Sequence, residues 1–309
     1  MSGFRLKVPV GIAPGGRPAA ACEITPEGVV AAATPTPGGT AVYAAEPLPA
    51  GAVYPSLLEP NIANPAALTA SIRAALGQVG SRVKSVTVII PDSAVRVFVL
   101  DFDTLPSSHA EAIPVLRFRL RKSVPFDVEH AGISYQVLSE GSSKLETQWK
   151  VLAVAIPGPV LAEYEATVRA AGYEPGVVMP TSLAGMCALD SQEAVLTVNL
   201  SARALTTSIV SGNDILLHRT IDLPQDPEAV QADVQRSIAV ASAYFEDRLQ
   251  FRPHRLLYTG SLTAHDFAEL LADPEFAVGE LVPSPETGLV STLGHQSVAG
   301  VTGALVGTN

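Results

Sequence analysis

Cysteine, aromatic residues and charged residues are all scarce in this 309-residue sequence. It contains two cysteines and one tryptophan, and only 16% of its residues are charged, whereas 47% are hydrophobic. Two cysteines are too few for a disulfide framework, and the positions of Cys22 and Cys187 do not fit a CxxC motif. Each lies among apolar residues, so we expect both to be small buried side chains.

Basic residues are outnumbered, with 20 Lys and Arg against 30 Asp and Glu, which gives a formal net charge of -10. A nucleic-acid-binding protein needs a basic surface, so this balance argues against nucleic acid as a partner. It also argues against peripheral binding to anionic lipid, which draws on clustered Lys and Arg.

Long hydrophobic runs are missing as well. The first residues lack the apolar core and small-residue cleavage site of a signal peptide. The last apolar run, 298–306, is interrupted by glycine and is shorter than the roughly 20 residues that span a bilayer. We therefore expect a soluble cytoplasmic protein.

The sequence contains two similar α/β parts with a compact block between them. Each outer part begins with a β-meander and continues into a helix, the first of which starts at Pro65 after the N-cap Asn64. The Pro-rich stretch 34–60 is expected to be irregular. This pattern predicts a first lobe over 1–85, completed by about 176–190. An inserted α+β subdomain follows over 86–175, and a second lobe over 191–309 includes a long-helix region near 224–252.

Segments along nearly the whole chain resemble the PilM family of type IV pilus assembly proteins, which have the actin-like ATPase fold. Segment 10–16 (VGIAPGG) resembles the first phosphate hairpin of that family, and 195–210 falls where the second belongs. Segment 256–260 (LLYTG) falls at the adenosine-side turn. The most specific match is 117–136 (RFRLRKSVPFDVEHAGISYQ), which resembles a helix ending in (I/V)PF before a strand with a Tyr-Gln pair. The cytoplasmic part of the secretion protein GspL has a similar plan.

The resemblance implies a degenerate nucleotide site. The positions that it assigns to this site are Ala13, Gly15, Gly16, Asn199, Ser201 and Gly260. The two carboxylates that would order Mg²⁺ are replaced by Ala13 and Asn199, and a neutral amide is a poor ligand for a hard cation. The next acidic residues, Glu23 and Asp214, are expected to lie too far along their strands to replace them. We therefore expect a pseudo-ATPase with no catalytic residue, no metal and no cofactor, since ATP with Mg²⁺ is not expected to bind.

The resemblance also implies a fold and a function. The fold is α/β (α+β), actin-like and ribonuclease H-like, with an inserted subdomain in the first of two lobes. The function is that of a cytoplasmic scaffold at the inner-membrane face, in the assembly platform of a type IV pilus or a related secretion system. In the family, the scaffold binds the short cytoplasmic N-terminal peptide of a PilN-like membrane protein between the first-lobe core and the insert. Candidate contacts here are Val124, Phe126 and Tyr135, and packing in the core is at least as good an interpretation of each. Other platform or motor components are further candidate partners.

Two other functions stay open from the sequence. One is an actin-like protein that still binds ATP. The other is a phosphatase of the haloacid dehalogenase type, because 97–104 (VFVLDFDT) resembles the nucleophile motif in which Asp101 would attack phosphorus and Asp103 would act as acid and base. That mechanism also needs a second acidic pair for Mg²⁺, and no Asp-Asp pair follows.

A local basic cluster interrupts the acidic sequence at Arg117, Arg119, Arg121 and Lys122. At these spacings the charges wind around a helix, which favours a solvated face. The functional interpretation is a docking edge for an acidic partner or for lipid headgroups.

Overall fold

The computed structural model describes residues 17–34, 39–80, 83–139, 149–191, 193–212, 214–283, 289–291 and 297–306. Segment 10–16, which is matched to the first phosphate hairpin, lies outside these ranges together with its predicted site residues Ala13, Gly15 and Gly16. The strands found in them are β1 Ala20–Ile24, β2 Gly28–Ala33, β3 Val42–Pro47, β4 Ser85–Ile90, β5 Arg96–Phe102, β6 Gly132–Ser139, β7 Trp149–Ile156, β8 Glu174–Pro180, β9 Val195–Leu200, β10 Ala204–Ser211, β11 Asp214–Asp222, β12 Arg255–Gly260, β13 Ala277–Glu280 and β14 Leu289–Ser291. The helices are α1 Pro65–Gln78, α2 His109–Leu120, α3 Gly158–Ala170, α4 Thr181–Met186, α5 Pro227–Leu249, α6 Ala264–Leu271 and α7 Ala299–Leu305.

Two of the three sheets repeat one strand order. In the first lobe, β3, β2 and β1 form an antiparallel meander, and β4 and then β8 add in parallel beside β1. In the second lobe, β11, β10 and β9 form the meander, and β12 and then β13 add in parallel beside β9. Strand β14 extends the first sheet beyond β3. The repeated meander predicted from the sequence therefore corresponds to two lobes built on one plan.

The insert is a separate three-stranded antiparallel sheet, in the order β5-β7-β6, covered by α2. This unit extends over 96–156 and lies within the block predicted at 86–175. The first strand and the last helix of that block pack in the first lobe, because β4 pairs with β1 and the fully buried Tyr164 of α3 joins the first-lobe core. The fold class predicted from the sequence, two α/β lobes with an inserted α+β unit, is confirmed.

Local sequence signals explain the best-predicted helices. Asn64 caps α1 by accepting a hydrogen bond from the Ala67 N–H at 3.0 Å, with Pro65 in the first turn. Helix α5 lies within the long-helix region expected near 224–252, and its N-cap Asp226 accepts from the Ala229 N–H at 3.1 Å. Within the described ranges, no helix is both long and apolar enough to cross a membrane.

The expectation that 34–60 is irregular is wrong for Val42–Pro47, which forms β3 and pairs with β2. The strand was hidden because its core positions are the small residues Ala44 and Ala45, which give little periodic signal. Strand β8 was missed for a different reason. Its prolines and glycine oppose a central strand, but they are tolerated because β8 lies at the edge of the sheet.

Gly303 brings α7 against α4. A Cβ atom added at Gly303 would collide with the carbonyl group of Ala184, whereas one added at Gly77, on the exposed side of α1, would meet nothing within 4 Å. Closely packed cores have no room for such an atom, so a neighbouring backbone would have to move.

We expect Gly303→Ala to lower the free energy of unfolding by about 2 kcal/mol, since it overpacks the contact between α7 and α4. The matched variant Gly77→Ala should raise it by roughly 0.5–1 kcal/mol, because alanine restricts the unfolded chain and favours a helix. Urea unfolding of both variants measures the difference. Equal effects of the two substitutions would contradict the close packing of the helices.

Candidate functional site

The two lobes face each other across a cleft whose cavity has a volume of about 150 Å³. The turn after β1, the end of β9 and the turn after β12 contribute to its walls. Two segments of the first lobe complete it, the short 3-10 turn Asp92–Ala94 after β4 and the start of α4. The cavity thus lies where the predicted second hairpin and the predicted Gly260 turn meet the first lobe.

Asp92 is the central side chain of this cleft, and it is 3% exposed. Its Oδ1 atom accepts hydrogen bonds from the Ser182 N–H at 3.0 Å and from the Ser182 hydroxyl at 2.9 Å. Its Oδ2 atom accepts from the Asn199 amide at 2.7 Å and from the Thr206 hydroxyl at 2.8 Å. Ser182 belongs to the first lobe, whereas Asn199 and Thr206 belong to the second. One buried carboxylate therefore joins the two lobes, and we call these four residues the Asp92 latch.

The latch gives Asn199 a specific role. Its amide nitrogen donates to Asp92, and an aspartate at the same place would bring a second carboxylate to about that distance. Where the resemblance expects an acidic residue in the second lobe, this chain has Asn199, and the acidic residue that contacts it, Asp92, lies in the first lobe. The sequence interpretation missed Asp92, because Pro91, Asp92 and Ser93 have the composition of an exposed turn.

Polar residues behind Asp92 continue the network into the second lobe. The Thr206 hydroxyl lies 2.9 Å from that of Thr220, and the Ser208 hydroxyl lies 2.9 Å from Nδ1 of His218. Burial lowers the pKa of His218 to about 4, against a smaller opposing effect of Asp92. The imidazole is therefore neutral at physiological pH and adds no positive charge to balance Asp92.

Glu23 brings a second carboxyl group to the cavity, which corrects the expectation that it lies too far along its strand. The side chain is 5% exposed, and within the described residues its Oε2 atom has no hydrogen-bond partner. Burial is the main reason why the pKa of Glu23 is raised to about 8, while a hydrogen bond with Thr181 lowers it and the nearby Asp92 adds a smaller raising effect. At neutral pH this carboxyl group is therefore mainly protonated, and a neutral acid is a weak ligand for Mg²⁺.

The remaining predicted cleft positions have structural roles. Ser201 closes the hairpin turn, since its hydroxyl accepts from the Ala204 N–H at 3.1 Å. Gly260 has a φ of +146°, and a Cβ atom there would collide with the Leu200 carbonyl. A glycine is thus required where the strand end crosses the backbone of β9, whether or not a nucleotide binds.

Apolar packing also holds the lobes together. Val97 and Leu152 of the insert and Leu183 of the first lobe belong to one cluster with Val210 and Ile215 of the second lobe. Arg96 adds an ion pair with Asp222 across the same boundary, at 3.1 Å. The three units are therefore connected by a shared core as well as by the Asp92 latch.

A groove of about 530 Å³ lies between the first lobe and the insert. The first lobe contributes Leu57 and Leu58, the insert contributes Phe126 and His130, and Val160 of α3 lies between them. Leu58 is 65% exposed. We call this site the lobe–insert groove.

Asn61 builds the first-lobe wall of this groove. It is fully buried and donates to the carbonyl groups of Ser56 and Glu59 at 2.8 Å, while its Oδ1 atom accepts from the Tyr164 hydroxyl at 3.1 Å. The Glu163 carboxylate accepts from the Asn61 N–H at 2.7 Å. The loop that carries Leu57 and Leu58 is therefore held by hydrogen bonds, although the sequence indicated only an irregular stretch.

The three predicted partner contacts fall in different places. Phe126 lines the lobe–insert groove. Tyr135 is 7% exposed and belongs to the core of the insert, where its ring centroid is 5.5 Å from that of His109. Val124 is partly buried against the same core. Of the three, Phe126 is therefore the one that the structure places at this groove.

The phosphatase candidates lie elsewhere. Asp101 is exposed on β5, opposite Lys150 of β7, and Asp103 follows on the exposed turn. Neither lines the cleft cavity or the lobe–insert groove. Among the residues that the structure describes, no group of three or more His, Cys, Asp or Glu side chains is placed to hold a metal ion. Cys22 and Cys187 are both buried free cysteines, as expected.

Comparisons with known proteins identify the fold. No protein-family model matches the sequence, and no curated protein matches it. A solved PilM–PilN type IV pilus biogenesis complex is similar in structure, with a TM-score of 0.67 and 18% identity over 84% of this chain and 90% of that chain. The cytoplasmic domain of EpsL, an inner-membrane component of the type II secretion system of Vibrio cholerae, has a TM-score of 0.49 and 12% identity, covering 93% and 92% of the two chains. A Bacteroides thetaiotaomicron protein with an actin-like ATPase fold has a TM-score of 0.48 and 11% identity, covering 93% and 94%. The predicted resemblance to PilM proteins is thus confirmed for the fold, which is actin-like.

We expect Asn199→Asp to lower the free energy of unfolding by about 3 kcal/mol at pH 7, because it buries a second carboxylate against Asp92 without a compensating donor. The loss should shrink as the pH falls, since one of the two acids then takes up a proton. The double variant Asp92→Asn/Asn199→Asp exchanges the partners and should recover part of the loss. Urea unfolding across pH measures all three proteins. An Asn199→Asp protein as stable as wild type at pH 7 would disprove the latch.

Glu23 should make stability depend on pH. The unfolded carboxyl group ionises near 4.5, whereas the folded one keeps its proton up to about 8, so its contribution to stability is lost as the pH rises through this window. Relative to wild type, Glu23→Gln should therefore gain stability as the pH rises, by at most about 1.4 kcal/mol per pH unit. The control is Glu27→Gln, on the exposed turn of the same hairpin. The same pH trend in both variants would argue against a buried, protonated Glu23.

Proposed function

We propose that this chain is a nucleotide-independent scaffold at the cytoplasmic face of the inner membrane, in the assembly platform of a type IV pilus or a related secretion system. Its partner is a PilN-like membrane protein, whose short cytoplasmic N-terminal peptide binds in the lobe–insert groove. The likeness in fold to the PilM–PilN complex supports this assignment. The observation that carries nucleotide independence is the Asp92 latch.

The latch opposes nucleotide binding in two ways. The Asp92 carboxylate places negative charge in the cleft where phosphates would have to sit, and like charges repel most strongly in a buried site. Its two oxygens already accept four hydrogen bonds, so a metal ion would have to displace donors from both lobes. The cavity of about 150 Å³ is also small, because sites for drug-sized molecules have volumes of about 300–1,000 Å³.

The closed lobes suit a scaffold. The latch and the shared apolar cluster hold both lobes and the insert together with contacts of the chain itself. No bound ligand is needed to bridge the cleft. A binding surface formed between the first lobe and the insert is then already in place before its partner arrives, which lowers the entropy cost of binding.

The lobe–insert groove has the composition of a peptide site. Leu58, Phe126 and Val160 offer apolar contacts, and the carboxylates of Asp127 and Glu59 lie around them. An extended segment with alternate apolar side chains and a positive charge near its end fits this arrangement. His130 and Gly158 keep the two walls at a fixed separation, because a Cβ atom on Gly158 would collide with the His130 carbonyl.

We expect Leu58→Glu to weaken binding of the partner's N-terminal peptide by about tenfold or more, since it places a charge in the apolar part of the groove. Leu58 is well exposed, so the protein should still fold. The control is Val240→Glu, which changes a 47% exposed residue on α5 of the second lobe and should leave binding unchanged. Calorimetry with a synthetic peptide, with and without ATP and Mg²⁺, measures both affinities.

Two results would count against the proposal. A peptide that binds Leu58→Glu and wild type equally would move the binding site away from this groove. A peptide affinity that depends on ATP with Mg²⁺ would show that the cleft still responds to nucleotide, and the nucleotide-independent function would then be wrong.

A further inference from the structure

Helix α2 carries an exposed face on the side opposite its core contacts. Val115, Phe118 and Arg119 have i, i+3 and i+4 spacing, so they share one side of the helix, and the exposed Lys122 follows in the turn directly after its end. Phe118 is 76% exposed and Val115 is 36% exposed. The opposite side buries Ala112, Leu116 and Leu120 in the insert. We call the exposed set the α2 face.

The four residues of the basic cluster at 117–122 have two kinds of surroundings. Arg117 donates to the carbonyl groups of Val128, Glu129 and Ala131 and thus holds the adjoining loop, and Arg121 pairs with Glu129. Arg119 and Lys122 are exposed on the α2 face, and in the described part of the chain neither forms an ion pair.

The charge on the α2 face is unevenly distributed. Glu111, four residues before Val115 on the same side of the helix, lies in the first turn, whereas Arg119 and Lys122 lie at and just after the other end, near Phe118 in the sequence. The end of the face that carries the exposed ring is therefore locally positive, although the whole chain has a net charge of -10. Charges more than about 8 Å away are largely screened at physiological ionic strength, so the local sign governs contact.

We propose that the α2 face contacts the surface of a bilayer that contains anionic lipids. Phe118 would enter the headgroup region, and Arg119 and Lys122 would bind lipid phosphates. A protruding ring on a convex helix needs a soft apolar layer, whereas a protein partner would have to supply a matching pocket. This proposal extends the proposed function, on which it rests for placing the face near a membrane.

The position of the α2 face agrees with that placement. The chain leaves α2 and reaches Phe126 and Asp127 of the lobe–insert groove within seven residues of Leu120. A membrane-anchored peptide bound in that groove brings the adjacent end of α2 to the bilayer surface. One ring and two cations give weak binding alone, and the tether raises the effective concentration of lipid at this face.

The test is sedimentation of the full chain with vesicles, in low and in physiological salt. One set contains phosphatidylcholine alone, and the other contains equal parts of phosphatidylcholine and phosphatidylglycerol. We expect wild type to bind the second set better and to lose affinity as salt rises. Arg119→Glu/Lys122→Glu should weaken binding by about tenfold or more, and Phe118→Ser should weaken it as well.

The controls match the variants in charge and chemistry. Arg219→Glu/Arg255→Glu makes the same change in net charge at two exposed positions of the second lobe, and Phe251→Ser removes a 53% exposed ring there. Both should bind vesicles as wild type does, within about twofold, because distant charges are screened. Equal losses of vesicle binding in the test and control variants would overturn the proposal. It would also be overturned if wild type bound both vesicle sets equally at low salt.

Peptide affinity separates this proposal from the proposed function. Arg119→Glu/Lys122→Glu should bind the partner's peptide as wild type does. If the wild-type chain binds vesicles but not the peptide, the proposed peptide site is wrong and the lipid contact is supported. If the wild-type chain does not bind vesicles and Arg119→Glu/Lys122→Glu binds the peptide more weakly than wild type, the lipid contact is wrong. The α2 face would then be assigned to a protein ligand.

Discussion

The structure depends on one buried carboxylate that receives hydrogen bonds from both lobes. Asp92 is almost without solvent contact, and an isolated charge there would be costly. Its donors come from Ser182 in the first lobe and from Asn199 and Thr206 in the second, so the charge is compensated only while the lobes are together. Separation would expose an apolar cluster and leave Asp92 without half of its donors. Closure of the cleft is therefore part of the fold itself.

This constraint links the cleft to the surface sites. In the proposed scaffold, a cleft that the chain's own side chains hold shut would not signal the presence of a nucleotide to the rest of the molecule, because the closed state needs no ligand. The lobe–insert groove and the α2 face then keep one geometry. Asn61 and Gly158 fix the groove walls in the same manner, by hydrogen bonds and by close backbone contact. A rigid body with preformed surfaces fits a scaffold better than a switch.

Much of the fold could be predicted from the sequence, because the repeated meander and the caps Asn64 and Asp226 are local signals. The replacement of acidic residues by Ala13 and Asn199 follows only from the resemblance to a family, and it stays a prediction. What the sequence could not give was pairing over long distances. Asp92 and Asn199 are 107 residues apart, and nothing near Asp92 distinguishes it from a turn residue. Tyr135 shows another limit of the sequence, because an aromatic residue in a half-buried strand has the same pattern in a groove as in a core, and the structure places this ring in the core of the insert.

Because of the Asp92 latch, the proposed nucleotide independence does not rest on one substitution. An acidic residue at position 199 would not restore a metal site, since the Asp92 oxygens are occupied by Ser182 and Thr206 and Glu23 keeps its proton at neutral pH. A functional metal site would need an ionised Glu23, a freed Asp92 and an open cleft at the same time. Each of these changes opposes a contact that stabilises the closed lobes. The amide of Asn199 is therefore one of two side-chain groups, with the Thr206 hydroxyl, through which the second lobe binds Asp92 of the first.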